Sequence, residues 1–277
     1  DKIVEQVLIN KRSREDAEKS RVKLKKKLTG DINMSNRVEK FVDCRSRDTE
    51  KRELYIVEGD SALGSCKQAR QADFQAIMPI RGKILNCLKA DNNQIAKSDI
   101  ILDLVKVMGC GMDLKTKGKA ISEFDINSLR FGKVIICTDA DVDGYQIRTL
   151  VLAMIYRLMP ELIEAGKVYI AVSPLYEIIV GGKSYFAYTE KEKADILKKF
   201  EGKKISVQRS KGLGENEPEM MSLTTMHPDT RRLQKIMPSD VKETADVFDV
   251  LLGNDLQGRK EIIANCGREY IDLADIS

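Results

Sequence analysis

Val134-Ile135-Ile136-Cys137-Thr138-Asp139-Ala140-Asp141-Val142-Asp143-Gly144 runs from a short apolar stretch into three aspartates at alternate positions and a glycine. The apolar half is β-branched and too short for a helix, so it reads as a buried strand. The acidic half reads as a turn ahead of a helix over about 146–159. The same design occurs earlier. Strand Leu54-Tyr55-Ile56-Val57 runs into Glu58-Gly59-Asp60-Ser61, and a helical stretch follows from about Ala62 to Gln71. Strand, turn and helix in alternation predict an α/β fold with a parallel sheet, in which sites form at the carboxyl ends of the strands. Both acidic turns share one rim if their strands are neighbours.

Outward from these two units, strands are expected at 75–80, 168–172, 176–180, 185–188 and 205–208, with helices near 94–108 and 191–200. From about Glu217 the chain reads as mainly helical, punctuated by Pro218, Pro228 and Pro238. Residues 3–28 are helix-forming and stop at Thr29-Gly30. The opening Asp1-Lys2-Ile3 lacks an initiator Met, so a longer parent protein is expected.

The 277 residues suit one large domain or two modest ones, at ~100–200 residues each. With 42% hydrophobic and 32% charged residues, long disorder and low-complexity architectures are excluded. No run approaches the ~18 apolar residues of a membrane span, and no signal-peptide pattern opens the chain. The net charge of +4 is modest, but residues 1–28 carry ten Lys/Arg against five Asp/Glu, leaving about −1 for the remainder. Such a segment can follow a phosphate backbone or form a solvated helix face. The six cysteines contain no C-x-x-C pair and the one histidine is His227, which excludes a Cys/His zinc site. Cys137, inside an apolar run, reads as a buried thiol of a reducing compartment. His227 next to Pro228 leaves Ser-His-Asp and Cys-His chemistry little to work with. Any catalysis must rest on carboxylates.

Three carboxylates at alternate positions, Asp139, Asp141 and Asp143, raise one another's pKa unless a cation neutralises them, and together with Glu58 the pair Asp139 and Asp141 reads as a metal site. A hard cation with oxygen ligands is the natural solution. Mg²⁺ fits best, since it takes one or two carboxylates, retains waters and leaves room for phosphate oxygens; Mn²⁺ can substitute. The spacing D-x-D-x-D-G also opens an EF-hand loop, but the twelfth position is Leu150 where that loop needs Glu, and a strand precedes it. The plain alternative is helix capping by these acids. For Asp143, capping or an ion pair with Arg148 competes with metal ligation. Basic groups surround a glycine in Pro79-Ile80-Arg81-Gly82-Lys83-Ile84-Leu85-Asn86, and Gln208-Arg209-Ser210-Lys211-Gly212-Leu213-Gly214 is similar. Arg81, Lys83, Asn86 and Lys211 can donate to phosphate oxygens, although each segment alone also reads as a solvated turn.

Six stretches in order resemble the TOPRIM region of the B subunit of bacterial type IIA topoisomerases. They are Glu58-Gly59-Asp60-Ser61-Ala62, the Pro79–Asn86 segment, Thr138–Gly144, Ile147-Arg148-Thr149-Leu150, Tyr156–Ile163 and Lys211-Gly212-Leu213-Gly214-Glu215. Thr224-Thr225-Met226 and Thr230-Arg231-Arg232-Leu233 extend the match. The resemblance implies a Rossmann-like TOPRIM sheet with flanking helices, plus a small, mainly helical tail region. It implies the end of a transducer helix and a linker at 1–36, the metal-binding domain at 37–172, and a tail at 173–277 contacting DNA and the A subunit. Position by position it makes Glu58 the catalytic glutamate and Asp139 and Asp141 the metal-binding aspartates. Asp143 and Arg148 are supporting residues, and Lys83, Asn86, Lys211 and Arg81 face DNA.

The implied activity is reversible double-strand DNA transesterification by a tyrosine of the A subunit, in a cytoplasmic, nucleoid-associated A₂B₂ enzyme of the gyrase or topoisomerase IV type. ATP enters only through an N-terminal domain that this sequence lacks. The sequence departs from the family pattern at Leu63, Tyr145, Gln146 and Ser210, none of them a metal-ligand candidate. A stand-alone TOPRIM nuclease or primase, and a non-catalytic DNA-binding module, are the alternatives.

Overall fold

The computed structural model describes residues 2–29, 38–116, 119–209, 212–237 and 241–269. In chain order it contains α1 (Lys2–Thr29), β1 (Glu53–Glu58), α2 (Gly59–Ala69), β2 (Gln75–Ile80), α3 (Asn92–Lys97), α4 (Asp99–Met108), β3 (Leu114–Thr116) and β4 (Lys119–Ser122). Then follow β5 (Lys133–Cys137), α5 (Val142–Leu158), α6 (Pro160–Glu164), β6 (Val168–Val172), β7 (Tyr176–Val180), β8 (Lys183–Ala187), α7 (Glu190–Lys199) and β9 (Ile205–Arg209). The last elements are α8 (Pro218–Met221), continued by a π-helical turn at Ser222–Met226, β10 (Arg232–Lys235), α9 (Val241–Leu252) and α10 (Leu256–Cys266).

The main sheet has five strands in the order β10-β6-β5-β1-β2. Strands β6, β5, β1 and β2 run parallel, with β1 between β5 and β2. Near-continuous apolar runs suit this position, because a parallel sheet is covered on both faces. One face sets Leu54, Ile56, Met78, Val134 and Ile136 against apolar residues of α4 and α5. The other sets Tyr55, Val57, Ile77, Ile135 and Cys137 against Ala62, Cys66 and Ala69 of α2, and against Leu213, Met221 and Met226 from far along the chain.

The expected α/β class and parallel sheet are therefore present, with differences at the periphery. The strands expected after residue 175 do not join the parallel sheet. They form a separate antiparallel sheet, β8-β7-β9, with its own small core around Tyr176, Ile178 and Ala187. Its first hairpin turns through Gly181 and Gly182, whose φ values of 57° and 79° belong to a tight two-residue turn matching strand twist. Within the region expected to be helical, β10 pairs antiparallel with β6 and closes that edge. The helix expected over 94–108 is two helices. Asp91 forms a capping box with Gln94 to start α3, and extended backbone at Ser98 separates it from α4, which ends on left-handed Gly109. The hairpin β3–β4 had no sequence signal. Among the described residues no helix is long and apolar enough to cross a membrane.

Candidate metal centre and nucleic-acid face

Strand register builds the site. Val57 lies opposite Cys137 in the β1–β5 pair, so the residues that follow, Glu58 and Thr138-Asp139, emerge side by side at the carboxyl ends. Glu58 ends β1 at the N-cap position of α2, and Gly59 turns the chain there at φ 72°. The Asp139 N–H donates to Glu58 Oε2 at 3.3 Å. Asp139 Oδ1 in turn accepts the Leu213 N–H at 2.8 Å. Asp141 caps α5, its Oδ1 accepting the Gly144 N–H at 2.7 Å. A Cβ at Gly144 would lie 2.2 Å from the Asp139 carbonyl oxygen, so only glycine lets the helix start this close to the acidic turn.

Burial pushes the Glu58 carboxyl above its ordinary range, and the charges of Asp139, Asp141 and Asp143 add to this; the Asp139 N–H offsets part of it. Asp139 is also raised, first by burial and then by Asp141 and Glu215, against the Leu213 N–H. Among the described residues no Lys or Arg forms an ion pair with Glu58, Asp139 or Asp141. Nor do three acidic, His or Cys side chains among them converge into a ready-made metal cage. The pair Glu58 and Asp139 still fits Mg²⁺, which needs only one or two carboxylates and keeps several waters. Gly212 keeps open the space beside Asp139 Oδ2; a Cβ there would come within 3.1 Å of that oxygen.

The remaining candidates divide. Lys83 pairs with Asp143 at 2.7 Å, placing it on the acidic rim. Asp143 therefore neither caps α5, a task Asp141 performs, nor pairs with Arg148. Arg148 stacks over the Tyr145 ring at 5.1 Å, with its Nε buried and unpartnered. Arg81 lies at 3.4 Å from Asp60, which also pairs with Lys40. Asn86 is engaged at both ends of its amide: Nδ2 donates to the Leu252 carbonyl at 2.9 Å and Oδ1 accepts the Leu88 N–H. It ties the loop after β2 to the end of α9. Lys211 and Ser210 lie outside the described residues. What the side-chain pattern did not reveal is the backbone contribution of Gly212 and Leu213, since an N–H donor leaves no mark on residue type.

Residues 53–172 match the family model of the Toprim domain, and residues 202–264 match that of the DNA gyrase B subunit, carboxyl terminus. A protein of Thermotoga maritima, named as the B subunit of DNA gyrase, is 42% identical over 261 residues, 94% of this chain. The chain carries a Toprim domain followed by a DNA gyrase B carboxyl-terminal domain. Other relatives carrying the same name include those of Thermus thermophilus, 45% identical over 84% of this chain, and Clostridium acetobutylicum, 41% identical over 98%. The chain spans 40%, 36% and 41% of these three relatives' lengths, respectively. In this chain the Toprim match covers both acidic turns, and the carboxyl-terminal match begins ahead of β9 and includes the segment that supplies the Leu213 amide.

Proposed function

We propose that this chain is the metal-binding cleavage and religation portion of a type IIA topoisomerase B subunit. It acts on double-stranded DNA together with an A subunit that supplies the tyrosine nucleophile, within an A₂B₂ assembly. We assign 37–172 to the Toprim unit, 173–277 to a tail that contacts DNA and the A subunit, and 1–36 to an entering helix and linker. The observation that carries the proposal is the meeting of Glu58 and Asp139 across the β1–β5 rim, both destabilised as anions by burial and by neighbouring acids.

In the proposed reaction the partner tyrosine attacks a phosphodiester. The new bond joins phosphorus to the phenolic oxygen, and the bond to the 3′ oxygen breaks. The phenolic proton leaves on the A-subunit side, and the 3′ oxygen gains one proton. Glu58 and Asp139 would hold Mg²⁺, which would supply Lewis-acid stabilisation of the charge on that oxygen. Glu58 Oε2 accepts the Asp139 N–H, and the Glu58 carboxyl would pass a proton to the 3′ oxygen and take it back on resealing. Asp141 secures the start of α5, and its charge would add to the hold on a cation at this rim. Lys83 and Arg81, on the same rim, position the DNA backbone, as does Lys211; Asn86 does so through its loop. Reversible transesterification retains the bond energy, so cutting needs no high-energy cofactor.

The test mixes the chain with a matching A subunit and supercoiled plasmid, quenches with detergent, digests with protease and compares Mg²⁺ with EDTA. Metal-dependent linear or nicked DNA with protein at the 5′ ends is expected. Glu58→Ala and Asp139→Ala are each expected to abolish cutting while DNA binding persists. Cleavage that survives both substitutions overturns the metal-site assignment. Cutting without the A subunit identifies a stand-alone nuclease, and assembly on DNA without cutting leaves a binding module or a fragment too short to act.

A further inference from the structure

Three consecutive residues beyond the Toprim match touch both acidic turns with their backbone. Leu213 donates its N–H to Asp139 Oδ1 at 2.8 Å. Its side chain is 2% exposed and belongs to the apolar cluster of Tyr55, Val57, Ala62 and Cys137, so the donor is rooted in the core. On one side, Gly212 has extended backbone, φ −141° and ψ 150°, which any residue adopts. What restricts this position is space, because a Cβ would come within 3.1 Å of Asp139 Oδ2. On the other side, a Cβ at Gly214 would lie 2.6 Å from Ser61 Cβ and 3.1 Å from the Ser61 carbonyl carbon. Gly214 thus lies flush on the first turn of α2, just after Glu58, and its carbonyl accepts the Ser65 hydroxyl at 3.4 Å.

We infer that Gly212-Leu213-Gly214 is a positioning clamp for the metal centre. The Leu213 amide commits Oδ1 of Asp139 and fixes the carboxylate's rotation. Gly212 keeps the approach to Oδ2 clear, so Oδ2 is the oxygen offered to the cation. Gly214 locks the same tripeptide onto the turn that carries Glu58, setting the two carboxylates relative to each other. Partners of this kind orient metal ligands, and their loss typically costs 10–100-fold in metal affinity. The clamp is supplied by the tail, so the Toprim segment alone carries the ligands without the part that aims them. This inference rests on the reading of Glu58 and Asp139 as metal ligands.

The test measures Mn²⁺ binding to the whole 277-residue chain by the electron paramagnetic resonance signal of the free ion, without DNA or A subunit. Gly212→Ala is expected to weaken Mn²⁺ binding about tenfold or more. Its melting temperature and its DNA binding in EDTA are expected to stay at the wild-type level. Replacing Leu213 by its α-hydroxy acid deletes the N–H donor while keeping the side chain, and is expected to have the same effect; it carries the test if Gly212→Ala fails to fold. Asp139→Ala is the reference. If it loses Mn²⁺ binding while either clamp variant binds like wild type, the clamp is overturned. If Asp139→Ala itself binds like wild type, the metal-ligand reading fails, and the clamp with it.

Discussion

Asp141 has two readings at the residue scale, and they are separable. Its Oδ1 caps α5 through the Gly144 N–H, a role that asparagine fills as well as aspartate. Asp141→Ala is expected to cost about 1 kcal/mol in denaturant unfolding, as lost caps typically do, and Asp141→Asn close to nothing. If Asp141 also serves a cation, Asp141→Asn loses DNA cleavage in the partner assay while keeping its unfolding midpoint. Full cleavage by Asp141→Asn reduces the residue to a cap. Neither Glu58 nor Asp139 caps a helix; each accepts one backbone N–H, from Asp139 and Leu213 respectively. Asp143 was legible as an acid of the motif but not in its partner. The residue that reaches it is Lys83, from the loop after β2, and only the order of strands β5-β1-β2 brings that loop to the start of α5.

At the scale of elements, the far end of the sheet holds the tail by a buried ion pair. Arg231, ahead of β10, bonds both carboxylate oxygens of Glu53 at the start of β1 and also the Tyr55 hydroxyl. Gln75 of β2 reaches both Glu53 and the Met226 carbonyl, and Lys133 of β5 adds a third contact to Glu53. The Arg231 and Glu53 side chains are 6% and 3% exposed, so removing one leaves the other charged in the core. Arg231→Met is expected to destabilise the fold by about 3–5 kcal/mol, read from the shift in urea midpoint.

A pH dependence follows from the same pair. Burial alone would raise the Glu53 carboxyl, but the Arg231 and Gln75 hydrogen bonds and the Arg231 and Lys133 charges outweigh it and hold it below its ordinary range. A carboxyl lowered in the folded state contributes stability above its unfolded pKa, about 4.3, and that stability is lost as the pH falls through the lower folded value. Unfolding midpoints measured downward from pH 5 are therefore expected to drop, and Glu53→Gln to flatten this part of the curve. A curve unchanged by Glu53→Gln removes the pair from the acid response.

For the molecule as a whole, the tail is the second cover of the sheet. Leu213, Met221 and Met226 pack on the face formed by Tyr55, Val57, Ile77, Ile135 and Cys137, with α2 beside them. A fragment limited to the Toprim match, residues 53–172, leaves much of that face bare. Contiguous apolar surface of this kind destabilises a domain and promotes association. The fragment is expected to bind a hydrophobic dye and to melt earlier than the full chain. Equal melting temperatures, with no dye binding, show that the tail is not part of the core. The small sheet β8-β7-β9 has its own apolar cluster and is expected to contribute little to this difference.

The acidic turns, the strands leading into them and the α/β class were set by local pattern. An apolar β-branched run followed by a charged, glycine-containing turn has few other ways to bury its side chains and satisfy its backbone. Which strands are neighbours was not local information. The pairing β5-β1-β2 makes one site of Glu58 and Asp139 and brings Lys83 to Asp143. The strand β10 was hidden for the same reason: Arg232-Leu233-Gln234-Lys235 has almost no apolar content, and its pairing partner β6 lies far back along the chain. Backbone donors such as the Leu213 N–H are carried by every residue but proline, so composition cannot reveal which one meets a carboxylate. Residue chemistry determined which groups could act, and tertiary packing decided which of them meet, because hydrogen bonds and ion pairs depend on distances that close only when the sheet and its cover assemble.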